Sequence, residues 1–243
     1  MGHSWDLVSL HLSDRFHVYA LDQRGHGDSE WSRDGDYSTD SMAEDAIAFL
    51  LHEEIEQPII FGHSMGGMVT MTLLKRAPTL AQAVVLVDIG PEVSADGTAT
   101  IRRFIESASE FDDLDEFVAR VQAYDPFRTR EHIERTVRYN MIQRADGKYV
   151  SKNDRSRGYT PQEEGAVNAR RITLGDVRTF PCPVLVVRGE QSNVLEADAA
   201  ERFLQALPKG ELVTVSRCGH NVHSQNTLGF LAAIGPFLEA IEA

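Results

Sequence analysis

The run Gly62-His63-Ser64-Met65-Gly66-Gly67 stands directly after the apolar residues Pro58-Ile59-Ile60-Phe61 and before a stretch with helical periodicity. Few local folds fit that order: a buried strand must turn sharply into a helix, with the serine at the apex. Such a turn strains the serine backbone, and small residues two positions to either side, Gly62 and Gly66, let strand and helix approach closely. The Ser64 hydroxyl is then lifted clear of the sheet. The Met65 N–H and the positive end of the helix dipole point at the same spot, which suits a nucleophile whose attack generates an oxyanion.

The segments around this turn alternate. His17-Val18-Tyr19-Ala20-Leu21-Asp22 reads as a short buried strand that runs into the glycine-rich loop Gln23 to Ser29. Asp40 is placed to cap a helix from Ser41 to Ile55, and a helix after Ser64 is stopped by Pro78. Ala83-Val84-Val85-Leu86-Val87-Asp88 is a wholly apolar run ending in an acid. Between Gly90 and Gly175 the rhythm breaks into helical periodicity at Thr100–Ser107, Leu114–Tyr124 and Glu131–Ile142, then a polar stretch from Ala145 to Gly165 with a turn signal at Asp146-Gly147. It resumes with a strand at Pro183–Arg188, a helix at about 197–207, a strand at 211–215, a loop to Gln225 and a closing helix from Thr227. Continuous apolar strands between amphipathic helices imply a mostly parallel sheet covered on both faces. The expected fold class is therefore α/β, with a core from residues 1–90 and 176–243 and an inserted helical cap at 91–175. Charge supports the division: 15 of the 24 basic residues fall between Pro91 and Arg178 beside 16 acidic ones, so the excess negative charge sits in the flanking parts.

The net charge of -13 argues against a nucleic-acid partner, which needs clustered Lys and Arg. No apolar run approaches the ~20 residues of a membrane span, and the start has no basic segment followed by an apolar one, so a cytoplasmic protein without membrane contact is expected. Cys182 and Cys218 give no disulfide framework. Cys218, His220 and His223 lack a fourth metal-ligating partner, and neither metal nor organic cofactor is expected.

Four stretches occur in one order along nearly the whole chain: Asp22-Gln23-Arg24-Gly25-His26-Gly27-Asp28-Ser29, the Gly-His-Ser-Met-Gly-Gly turn, the Val-Leu-Val-Asp-Ile-Gly-Pro-Glu strand end at 85–92, and Gly219-His220. In this combination the chain resembles the α/β-hydrolase superfamily, in its serine, esterase-like branch. The resemblance implies Ser64 as nucleophile, His220 as base and Met65 as an oxyanion donor. His26 and His63 match family loop positions with a structural role, and His223 is the lesser candidate for the base.

The chain departs from the family pattern twice. Family members begin with a hairpin and a strand ending in His-Gly, whose loop supplies a second oxyanion N–H and whose strand lies between those at 18–21 and 58–61. Without it, the two strands pair directly, a partner chain closes the gap in a homodimer, or the sequence is a fragment; the family-like helix start near His3-Ser4-Trp5 favours the fragment. The usual acid position, after the strand ending at Arg188, holds Asn193, so Asp88 is expected to supply the carboxylate, with Glu196 and Asp198 as lesser candidates. Asp88 at a strand end can also be read as a helix cap or loop anchor.

The expected chemistry is hydrolysis of a small to medium carboxylic ester or lactone, a small-molecule substrate, through an acyl-enzyme. Phe104, Phe111, Phe117, Tyr124, Phe127 and Tyr139 are candidates to line the pocket, and Arg102 or Arg138 to meet a carboxylate. Two alternatives stand beside this reading, a carbon–carbon bond hydrolase and a ligand- or partner-binding protein that keeps the fold without turnover.

Overall fold

The computed structural model describes residues 1–106, 110–154 and 171–242. Helix α1 (Asp6–Leu12) is followed by α2 (Thr39–His52), strand β1 (Ile59–His63), α3 (Met65–Arg76) and β2 (Ala83–Val87). The chain then leaves the sheet through α4 (Ala95–Glu106), β3 (Glu110–Phe111), α5 (Leu114–Tyr124), α6 (Arg130–Asn140), β4 (Met141–Gln143) and β5 (Tyr149–Ser151). It returns with α7 (Leu174–Val177), β6 (Val184–Gly189), α8 (Ala197–Ala206), β7 (Gly210–Val215), α9 (Val222–Gln225) and α10 (Thr227–Glu242).

The central sheet runs β1-β2-β6-β7 with every pair parallel. Every residue of β2 is fully buried. Its alternation splits between two clusters: Val84 and Leu86 pack with Leu73, Leu74 and Phe203, while Ala83, Val85 and Val87 pack with Val8, Phe230 and Ile234. An apolar strand with no polar face thus holds helices to both sides of the sheet, each enclosed Val or Leu contributing about 1.5–3 kcal/mol relative to exposure.

Helix α2 begins two residues earlier than expected, capped by Ser38 and not by Asp40. The Ser38 hydroxyl accepts from the Ser41 amide at 3.2 Å. Asp40 is already in the first turn, where it pairs with Arg76 at 3.1 Å. The segment between β2 and β6 has its own core of Phe111, Val118, Val121, Ile133, Val137 and Met141. It also holds a small antiparallel sheet, β3-β5-β4, at a place the sequence reads as helix ends and polar loop. Its strands are two or three residues long, too short to show alternation, and the Asp146-Gly147 turn signal marks their hairpin. The remainder of the polar stretch, from residue 155, lies outside the described residues.

One expected strand does not form. Residues 17–22 carry no ladder, and Tyr19 and Leu21 are each 43% exposed. Among the described residues β1 pairs only with β2, so this segment and β1 do not pair directly. An apolar run becomes a buried strand only where a neighbour accepts its backbone hydrogen bonds. Here a cavity of about 1440 Å³ separates the two, lined in part by Val18, Leu21, Ile59 and Phe61 and reaching Ser64 and Met65. No helix among the described residues is long and apolar enough to cross a membrane.

Candidate active site

All four strands of the parallel sheet end on the same edge, and each delivers one part of a polar cluster. Ser64 follows β1 with φ 52° and ψ -121°, a conformation that an L residue adopts only under strain. Tight packing behind the turn fixes it. A Cβ on Gly62 would stand 2.7 Å from Gly67 Cα, and one on Gly67 would stand 2.2 Å from Ile89 Cγ2. Gly66, expected from the motif to be the second close approach, has room: its Cβ would meet only Gln23 Nε2, at 3.6 Å. The close approach therefore uses Gly62 and Gly67.

Asp88 follows β2, is fully buried and also has positive φ, 51°. Its Oδ1 accepts the Gly189 amide from the end of β6 at 3.0 Å, and its Oδ2 accepts the Ser192 hydroxyl. Oδ2 also lies 2.9 Å from His220 Nδ1. With Nδ1 donating to the carboxylate, Nε2 of the neutral ring is the acceptor. Ser64 Oγ stands 2.9 Å from it. A hydroxyl, an imidazole and a carboxylate so arranged can pass the hydroxyl proton to the ring while the carboxylate stabilises the resulting charge.

The other candidates lie elsewhere. Asn193 presents its backbone carbonyl to α4 at Gly97 and does not reach His220 by any hydrogen bond. Glu196 is exposed at the start of α8, and Asp198 pairs with Arg202. His223 is buried, stacks on Trp5 with ring centroids 4.0 Å apart, and has neither ring nitrogen bonded; burial pushes its pKa down to about 3. It is a packing residue. The Cys218 thiol, turned to the Val215 carbonyl, is pushed up to about 11 by burial, and no metal-binding cluster occurs among the described residues. His26 bonds the Arg24 carbonyl at 3.0 Å. His63 donates from Nε2 to the His220 carbonyl at 2.9 Å, and burial with the neighbouring imidazoles holds its pKa well below the ordinary value.

The aromatic residues expected to line a pocket mostly pack on one another. Phe104 stacks on Tyr124, Phe111 meets Phe117, and Tyr139 stacks on His3. Phe127 is the exception that approaches the His220 loop, at Gly219. Arg102 and Arg138 are exposed. Sequence reasoning missed Ser192 and the Gly189 amide. A hydroxyl one residue before Asn193 and a backbone amide at a strand end carry no motif.

Residues 1–227 match the family described as alpha/beta hydrolase fold, and the chain belongs to that family. Among curated relatives, 2-(acetamidomethylene)succinate hydrolase of Mesorhizobium japonicum is 28% identical over 236 residues, covering 96% of this chain and 82% of the relative. An esterase of Mycobacterium tuberculosis is 26% identical, covering 98% and 79%. The crystal structure of E-2-(acetamidomethylene)succinate hydrolase superposes with a TM-score of 0.87 at 24% identity, over 98% of this chain and 87% of that one. An alpha/beta hydrolase from Novosphingobium aromaticivorans gives a TM-score of 0.76 at 28% identity, over 98% and 85%.

Proposed function

We propose that this protein is a serine hydrolase that cleaves a small to medium carboxylic ester or lactone through an acyl-enzyme. The observation that carries the reading is the unbroken line from Ser64 Oγ through His220 to Asp88, 2.9 Å at each step. Ser64 attacks the carbonyl carbon as His220 Nε2 takes its proton, and the Met65 N–H at the start of α3, which has no intrahelical partner, receives the oxyanion. The tetrahedral adduct collapses as His220 returns the proton to the leaving alkoxide. Water, deprotonated by the same ring, then attacks the acyl-serine, and His220 gives that proton to Ser64 Oγ as the acid leaves.

The hydrolase and esterase names of the relatives agree with this chemistry. So does a cavity that reaches Ser64 and Met65. Two free, buried cysteines fit a reducing, cytoplasmic setting. The test is release of p-nitrophenol from the acetate and butyrate esters. Wild type is expected to turn both over and Ser64→Ala to lose the activity. A folded wild type that releases nothing would favour the rival reading of a binding protein, and unchanged turnover in Ser64→Ala would remove Ser64 from the chemistry.

A further inference from the structure

The loop that carries His220 is held by a side chain from the inserted segment. Asp125, at the C-terminus of α5, is 1% exposed, and a buried carboxylate is tolerated only where it is well bonded. Its Oδ2 accepts from Arg128 Nε at 2.8 Å and lies 3.3 Å from Asn221 Nδ2; its Oδ1 accepts from Gln225 Nε2 at 2.7 Å. Gln225 has no freedom to turn its amide over. Its Nε2 faces a carboxylate, and its Oε1 accepts the Gly219 amide at 2.6 Å. Gly219 is buried, so without that acceptor its N–H would be left unsatisfied at a cost of about 1–3 kcal/mol. The His220–Asn221 peptide is held from the other side, where His63 donates to the His220 carbonyl. His220 thus hangs between two clamps, one from β1 and one that begins outside the core.

We propose that Asp125 is a positioning residue which, through Gln225, fixes the Cys218–Gly219 peptide immediately before His220 and sets His220 in register with Ser64. Seating of the inserted segment on the core and alignment of the imidazole then become one event. This role rests on the hydrolase reading above, but its physical content is an orientation that can be measured without turnover.

The test is a charge exchange. Gln225→Glu alone sets two carboxylates face to face and should release the loop. Since a misplacement of about 1 Å can cost about a hundredfold in rate, kcat is expected to fall between about tenfold and a hundredfold, with KM within about twofold because neither side chain enters the reaction. Adding Asp125→Asn restores a donor at 125 facing an acceptor at 225, and kcat should recover most of the loss. Arg130→Ala, which breaks only exposed ion pairs of the same segment, should leave kcat unchanged. In parallel, hydrogen exchange at the Gly219 amide should quicken at least tenfold in Gln225→Glu and return toward wild type in the double variant. Unaltered kcat and exchange in Gln225→Glu, or no recovery in the double variant, would overturn the proposal. Should wild type cleave no ester, the hydrolase reading fails and the exchange measurement alone decides whether Asp125 holds the loop.

Discussion

Asp88 gathers a backbone amide, a hydroxyl and an imidazole on one carboxylate, and the three do different things there. Gly189 N–H and Ser192 Oγ–H anchor the group, and His220 is what the anchored group orients. Asp88→Asn keeps the shape but loses the charge that supports imidazolium, and kcat for p-nitrophenyl acetate is expected to drop about ten-thousandfold with little change in thermal midpoint. Near-full activity would show that another acid serves His220. Ser192→Ala should cost far less, about tenfold, since it removes one hydrogen bond of about 1.5–3 kcal/mol to a carboxylate that keeps two partners. The imidazoles of His63 and His223 make a separate prediction about stability. Burial lowers both, His223 to about 3 from an ordinary 6.5. The unfolded chain takes up these protons near pH 6.5 and the native chain does not, so the unfolded state binds more protons below that pH, for His223 over the interval down to about 3. Stability should therefore fall as pH drops through that window, by at most about 1.4 kcal/mol per pH unit for each ring. Urea unfolding at pH 7, 6 and 5 should show the decline, and His223→Phe, which keeps a ring against Trp5, should flatten it; an unchanged slope would mean that His223 is not held neutral.

The turn between β1 and α3 shows which glycine the element needs. At Gly66 an added methyl meets ordinary contact, and Gly66→Ala is expected to leave the thermal midpoint and activity near wild type. At Gly67 the methyl runs into Ile89, and Gly67→Ala should cost about 1–3 kcal/mol and displace Ser64 with loss of kcat. Equal effects at the two positions would show that the strand and helix are not held by that contact. Ser64, His220 and the apolar strands were readable because each depends on short stretches whose residue types allow few substitutes. The pairing of Gly67 with Ile89 was not, since a motif shows where small residues stand and not which neighbour they face. Ser38 outranks Asp40 as a cap for a similar reason: both are good capping residues two apart, and only the helix start decides between them. Ser192, Gln225 and Asp125 were out of reach, because each acquires its meaning from a contact with a distant part of the chain.

At the scale of the molecule, the order of segments sufficed to name an α/β class, while the apolar run at 17–22 misled because strand formation there depends on a neighbour and not on composition. The sheet is consequently asymmetric in protection. Strand β2 is buried on both faces and bonded on both edges, whereas β1 faces a cavity along one edge. Native-state hydrogen exchange should find the β2 amides slowest and those of β1 that lie along the cavity faster by at least tenfold. Equal protection would mean that the β1 edge is closed in solution. The chemistry proposed for this sheet edge requires that Ser64 become acylated by way of His220. Its most direct measurement is mass spectrometry of tryptic peptides after reaction with a fluorophosphonate. The expected result is one adduct, on Ser64, formed readily by wild type and lost in His220→Ala. No adduct on folded wild type, or an adduct on Ser64 that forms equally fast without the imidazole, would contradict it.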